Sequence, residues 1–394
     1  MIKDIVILDG ARTAIGTFGG SLAATPPVDL AAHVAGVAMA RANVHADQIN
    51  HVVFGTVIST APRDMYLARV AAINAGIPDH VPAMNVNRLC GSGAQAIISA
   101  AQSLMLGDGD FALAGGAESM SRAPYILPQA RWGQKMGDMT AQDMLLATLN
   151  CPFGSGHMGV TAENIAMEHN ISRADQDAFA LESQTRAAAA IAAGHFTAQI
   201  TPIEVKRGRE RVMFDVDEHS KSTSAEALKN LRAAFKKDGT VTAGNASGIN
   251  DGAAAMVLAT ADAAARAGLK PKARILGYAH AGVRPEVMGL GPIPAVEALL
   301  KRTGLSVDDF DVIESNEAFA AQACAVNTAL KLDPAKVNPN GGAIALGHPV
   351  GATGAIITLK ALYELERIGG SKGLITMCIG GGQGIALAIE MLHK

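Results

Sequence analysis

Val86-Asn87-Arg88-Leu89-Cys90-Gly91-Ser92-Gly93 and Val337-Asn338-Pro339-Asn340-Gly341-Gly342 each open the same succession of elements. After the first come a helix from Ser92 to Leu106, a strand from Phe111 to Ala114 and the pair Gly115-Gly116. After the second, and some extra residues, come a helix from about Ala352 to Arg367, a strand from Gly373 to Met377 and glycines 380 to 382. The repeated order marks a duplicated α/β unit. Duplication implies two pseudo-equivalent helices meeting back to back, with a site between the halves.

The flanking sequence extends the pattern. The opening stretch Met1 to Gly10 reads as a strand centred on Ile5 to Asp9, Val28 to Arg41 as a helix, Val52 to Ile58 as a strand and Tyr66 to Ala75 as a helix. From Ala273 the alternation returns with strands Arg274–Ala279 and Val312–Glu314 and helices Ala295–Arg302 and Ala318–Leu330. Such alternation predicts a largely parallel sheet covered by helices on both sides. Residues 121–245 differ in character: they hold the only tryptophan, Trp132, and long helices, one starting at Ser172 with Asp175 and stopping at Gly194. Lys206, Arg207, Arg209 and Arg211 form a basic cluster there. This segment reads as an insertion carrying substrate contacts, or as a solvated excursion. The expected organisation is a first half at 1–120, completed by about 246–270, an inserted domain at 121–245, and a second half at 271–394.

Composition limits the function classes. Hydrophobic residues make up 49% and charged ones 18% of 394 residues, which describes a globular protein. A net charge of -3 gives no pull toward nucleic acid or an anionic membrane. The four cysteines, Cys90, Cys151, Cys324 and Cys378, are far apart with no Cys-x-x-Cys pair, so neither a zinc site nor a disulfide framework is expected. The start has no secretory pattern and no run of 18 apolar residues is seen, so a cytoplasmic setting without a membrane span is expected.

Cys90 and Cys378 both sit among glycines, which let backbone approach a ligand closely. They read as a nucleophile and a second sulfur acid/base, or as inert small hydrophobes. Cys90 precedes a helix, whose N-terminus carries roughly +0.5 of a charge and favours a thiolate. Gly91 and Gly93 would clear room for a carbonyl substrate. His348, in Gly347-His348-Pro349-Val350-Gly351, is the candidate base, in a place resembling that of Cys90 on the opposite half. The turn Gly380-Gly381-Gly382 after Cys378 offers N–H groups for an oxyanion hole. Asn316, in Ser315-Asn316-Glu317-Ala318, reads as a helix cap or as the holder of a water or a substrate oxygen.

With these motifs the chain resembles the thiolase family over essentially its whole length. The matching stretches are 87–93, 115–121, 157–164, 242–252, 316–325, 340–354 and 378–384, and it looks most like the bacterial biosynthetic branch. The resemblance implies two βαβαβαββ halves forming a layered α/β/α/β/α core with an inserted loop domain. It implies an acyltransferase that condenses two acyl-CoA to a 3-oxoacyl-CoA, or runs the reverse thiolysis, through a Cys90 thioester. Coenzyme A and acyl-CoA would be substrates, with no permanently bound cofactor. Carried over by motif position, His348 would take the Cys90 proton and Cys378 would move the substrate α-proton. Asn316 would hold a water that stabilises the enolate with His348, and the N–H groups of Cys90 and Gly380 would form a second oxyanion hole. Ser247 and Ala246 would contact pantetheine, and His157, Met158 and Phe319 would border the acyl pocket. Relatives often carry an arginine near Lys221; here Lys221 stands in that region, with the basic cluster of 206–211 as a substitute contact to the nucleotide end of CoA. The resemblance also implies a homo-oligomer, dimer or tetramer. The rival readings are a decarboxylating ketosynthase, which has no use for Cys378, and a non-catalytic acyl-CoA carrier.

Overall fold

The computed structural model describes residues 3–392, so Met1 and Ile2 of the expected first strand lie outside the described residues. Two half-sheets meet edge to edge. From the seam outward, the first runs Ile5–Arg12, Asn250–Thr260, Phe111–Ser119, His51–Gly55 and Ala83–Val86. The second runs Ala273–Gly282, Gln383–Met391, Lys372–Ile379 and Val312–Ser315. Pairing senses agree strand for strand: two antiparallel pairs next to the seam, then a parallel one. The outermost step repeats as well. His51–Gly55 pairs in parallel with Ala83–Val86, and Ile313 makes a parallel bridge to Val337. The two half-sheets pair at the seam through Val6–Arg274 and Ile7–Ala273.

The sheet is therefore mixed, not largely parallel. Parallel neighbours need a crossover helix between them, whereas antiparallel ones need none. Asn250–Thr260 arrives from beyond the inserted segment and lies antiparallel to both its neighbours. Gln383–Met391 returns by a tight turn in which Gly381 and Gly382 take φ of +85° and +91°. The strand from Phe111 also runs further than expected, through Gly115-Gly116 to Ser119, with every residue buried. Those glycines do not end the strand. A Cβ on Gly115 would collide with the carbonyl of Ala254, and one on Gly116 with that of Gly351. They are strand positions on which other backbone lies directly.

Helices Ser92–Leu106 and Thr353–Ile368 fill the layer between the half-sheets, while Pro27–Arg41 and Pro292–Thr303 cover the outer faces. The first turns of the two central helices touch. A Cβ on Gly93 would lie 2.6 Å from the Ala355 nitrogen, and one on Gly354 would collide with the Ala94 nitrogen. Each glycine is the second residue of its helix. Leu89–Leu106, which includes the first of these helices, is by length and hydropathy apolar enough to cross a membrane, yet it is interrupted by Ser92, Gln95, Ser99, Gln102 and Ser103, and 56% of it is buried inside the fold, as in a core helix.

The intervening segment contributes helices Met158–Glu168 and Arg173–Ala192 and the hairpin Ile203–Arg207/Glu210–Phe214. Ser172 and Asp175 form the capping box that starts the longer helix. A fully buried ion pair fastens the segment to the first strand, Arg12 donating to both oxygens of Asp217 at 2.7 and 2.9 Å. Such a fork is directional, so it fixes register as well as contact.

Candidate active site

A cavity of about 510 Å³ is lined by Cys90, His348, Cys378 and Gly380 together with walls from the intervening segment. Cys90 is presented by a strained turn. Leu89 takes a φ of +43°, unusual for a residue with a side chain. Its N–H donates to Asn87 Oδ1 at 3.0 Å, and its carbonyl accepts from Ser92 Oγ at 2.6 Å. Ser92 Oγ also accepts the Arg88 N–H at 2.8 Å, so one buried hydroxyl closes the turn. Gly91 and Gly93 do not clear room for a substrate. A Cβ on Gly91 would lie 2.6 Å from Ile379 Cδ1, and Gly93 is filled by the opposing helix. Both are packing requirements.

The resting nucleophile is a thiol. Burial pushes Cys90 up to about 11, the N–H groups of Gly380 and of Cys90 itself pull it back, and the charge of Glu118 adds to the rise. The helix end therefore does not by itself produce the expected thiolate; desolvation outweighs it. Burial pushes Cys378 higher still, and the charge of Cys90 raises it further. The two sulfurs are thus electrostatic neighbours.

His348 is supplied with one bare nitrogen. Its Nδ1 lies 2.7 Å from Thr353 Oγ1, and that hydroxyl donates its single hydrogen to the Pro349 carbonyl at 2.9 Å. Nδ1 must then carry the ring proton, which leaves a lone pair on Nε2. Nε2 is buried and has no partner. Burial lowers the ring to about 4, so it is neutral at physiological pH and ready to accept a proton. The backbone is held too, His348 N–H donating to Asn250 Oδ1 at 2.9 Å. His348 is not the positional counterpart of Cys90. Cys90 stands two residues ahead of its helix and His348 five ahead, so the counterpart of Cys90 is Gly351.

Asn316 is 2% exposed, and neither its Oδ1 nor its Nδ2 has a partner. It caps no helix, because the following helix begins at Ala320 with Phe319 as its N-cap. Its neighbours Ala318 and Phe319 line the cavity, while Asn316 is not among the lining residues. Gly380 is close to the opposite wall, where a Cβ would lie 2.9 Å from Met158 Cε and 3.1 Å from Leu89 Cδ1.

His157, Met158, Lys221, Ala246, Ser247 and Phe319 all line the same cavity. Ala246 bridges Phe319, and Ser247 N–H donates to the Ala318 carbonyl at 3.0 Å. Two residues that sequence reasoning missed complete the wall. Phe235 stacks on His157 with ring centroids 4.6 Å apart, and Gly159 leaves the space it needs. His219 borders the mouth and is lowered to about 4, chiefly by burial and then by Lys221. Phe235 lies in an unremarkable stretch of sequence, and no sequence signal marks it, since its partner His157 is far away along the chain. Among the described residues Lys221 is the one lysine or arginine on this cavity. Lys206, Arg207, Arg209 and Arg211 do not line it; they belong to the hairpin, where Arg211 pairs with Glu204. Cys324 borders a separate cavity of about 460 Å³ and is pushed up to about 11 by burial, then by Asp175 and Glu317.

Comparison with known proteins agrees with this geometry. The thiolase N-terminal domain model matches residues 5–262 and the thiolase C-terminal domain model residues 269–391. The beta-ketothiolase BktB of Cupriavidus necator is 59% identical over 394 residues, covering 100% of both chains. An acetyl-CoA acetyltransferase of Syntrophomonas wolfei is 48% identical over 400 residues, again covering 100% of both. The crystal structure of human mitochondrial 3-ketoacyl-CoA thiolase in complex with CoA superposes with a TM-score of 0.97 at 43% identity, covering 100% of this chain and 99% of that one. The chain belongs to the thiolase family, whose members are acyltransferases.

Proposed function

We propose that the protein condenses two acyl-CoA molecules, acetyl-CoA among them, to a 3-oxoacyl-CoA and free CoA, and catalyses the reverse thiolysis. One observation carries this reading: two sulfurs, a bare imidazole nitrogen and the Gly380 N–H converge on a single cavity. In the first half-reaction Nε2 of His348 takes the Cys90 proton as the sulfur attacks the thioester carbonyl. The C–S bond to CoA breaks, and the departing thiolate recovers that proton. A thiol held near 11 needs this concerted base, because little thiolate exists beforehand.

In the second half-reaction the Cys378 thiol passes its proton to His348 Nε2, and the resulting thiolate removes the α-proton of the incoming acyl-CoA. The carbanion attacks the Cys90 thioester, and Cys90 leaves as thiolate and takes the proton held on His348. The high resting value of Cys378 makes its thiolate strongly basic but uphill to form. The enolate oxygen must then be stabilised, by His348 Nε2–H and a water on Asn316. The tetrahedral oxygen would meet the N–H groups of Cys90 and Gly380. One oxyanion donor is worth ~3 kcal/mol. Asn316, buried with its amide unpaired, suits a water-holding role. His157, Met158, Phe319, Ala246 and Ser247 would hold the acyl and pantetheine portions, and Lys221 the phosphate end. Cys378 in the cavity favours thiolase chemistry over a decarboxylating ketosynthase, which has no work for a second sulfur.

Incubation with acetyl-CoA alone should release CoA and leave an acetyl group on Cys90, located by peptide mass spectrometry. Absence of that adduct overturns the reading. The ratio of kcat/KM for acetoacetyl-CoA to that for 3-oxohexanoyl-CoA reads the acyl length that the wall of Met158, Met288 and Phe319 accepts.

A further inference from the structure

Glu118 is a fully buried carboxyl group with no cationic side chain bound to it among the described residues. It stands near the end of the strand Phe111–Ser119, beside the catalytic cavity. Backbone N–H groups from two separate segments converge on it. Val57 and Ile58 donate at 3.0 and 3.1 Å, and Gly351 donates at 2.9 Å. Val57 lines the wall near Cys90, and Gly351 follows the His348-Pro349-Val350 stretch. A Cβ on Gly351 would lie 2.5 Å from Glu118 Oε2 and 2.9 Å from Thr56 Cα, so the loop is seated against the carboxylate with no slack.

We propose that Glu118 is a positioning residue of the reaction: its carboxyl group clamps the loop carrying His348 to the Val57–Ile58 wall and, when ionised, acts on Cys90. The inference rests on the Cys90–His348 reading above. An uncompensated buried carboxylate is costly unless its oxygens are satisfied, and here backbone donors satisfy them. The same donors join two loops that are otherwise far apart in sequence, so the clamp sets where Nε2 stands relative to the cavity. The charged groups that face Glu118 are few. Burial raises it to about 8, the Ile58, Val57 and Gly351 N–H groups pull it back, and Asp251 on the neighbouring strand adds to the rise, while Cys90 from the turn before the Ser92 helix feels the charge of its ionised form. From the His348 loop only the Gly351 N–H faces it. Above about pH 8 the ionised Glu118 opposes ionisation of the thiol, so the Cys90 midpoint reads its charge.

The test uses Glu118→Gln and Glu118→Asp in the full chain. The pH dependence of Cys90 alkylation by iodoacetamide is followed by peptide mass spectrometry, alongside turnover. Glu118→Gln removes the charge and confronts one N–H with an amide N–H. Its Cys90 alkylation midpoint should move down by about half a pH unit or more, and turnover should fall about tenfold or more. Glu118→Asp keeps the charge but shortens the reach. It should leave the midpoint in place and still lose turnover, and it carries the test if the glutamine variant does not fold. Unchanged turnover in either variant overturns the clamp. A glutamine variant with an unmoved or raised midpoint overturns the action on Cys90. Acetylation of Cys90 in the wild type separates these failures from failure of the mechanism itself.

Discussion

The fronts of the two central helices share one frame and hold opposite chemistry. Two residues ahead of the Ser92 helix stands Cys90, met by the Gly380 N–H from the other half. Two residues ahead of the Thr353 helix stands Gly351, whose N–H meets the Glu118 carboxylate from the other half. In both cases a strand end of one half touches the helix front of its counterpart. At the first front the acceptor is a sulfur facing a cavity, and it remains reactive. At the second it is a carboxylate enclosed by donors, and it is locked. The duplicated scaffold thus brings the parts together, and single residues decide which front reacts and which one holds.

Removing the reactive front should cost most. Cys90→Ala is expected to abolish acetylation and lower turnover roughly 10⁴-fold or more. Cys378→Ala should lose condensation to a similar degree yet still acylate Cys90, as single-turnover mass spectrometry would show; condensation that survives would mean the wrong base was assigned. His348→Asn should cost about 10²- to 10⁴-fold, the usual weight of a general base. In the wild type the base form of His348 exists above about pH 4, not 6.5, so its acid limb in kcat/KM should lie near that lower value. The sign for stability is the same. The folded value is depressed, so this group's contribution is complete above pH 6.5 and disappears as pH falls toward about 4. Urea midpoints across that window should fall less steeply in His348→Asn.

Effects on the shared frame should be smaller and matched. Gly93→Ala and Gly354→Ala each force a methyl into the opposing helix, at a cost of about 1–3 kcal/mol measured by denaturant unfolding. Because the two sites touch, the double variant should depart from additivity. Strongly unequal single losses would show that the frame is not equivalent. Smallest of all, Thr353→Val removes the acceptor that fixes the His348 tautomer. Loss of one such bond is worth about 1 kcal/mol, hence about a fivefold fall in kcat with KM little changed.

What was legible in sequence was local. Cys90, His348 and Cys378 stand out because glycine and proline surround them within a few residues, and the duplicated order of elements is itself a linear signal. What depended on distant pairing was not legible. Nothing near residues 5–12 announces that their partner is Asn250–Thr260, so the antiparallel centre was missed. Gly115-Gly116 read as the end of the strand, because the backbone of Gly351 that packs on Gly116 comes from far along the chain. Phe235 has ordinary neighbours, and Glu118, though within the matching stretch 115–121, shows no role there; the importance of both comes from what other segments bring to them. The pull of burial on Cys90 was hidden for the same reason, since a helix end is visible in sequence and an enclosing wall is not.

The strand Asn250–Thr260 lies between Ile5–Arg12 and Phe111–Ser119, and this has a consequence for how the chain is made. While residues 13–249 are leaving the ribosome, the first half-sheet lacks its middle. Until then two strand edges stand open where one strand will finally seat, and open edges invite the wrong partner. Closing them also spans a long loop, which slows folding. The first half is therefore not an early, independent folding unit; it is completed only after the inserted segment has been synthesised. That order makes the nascent first half a natural client for chaperones.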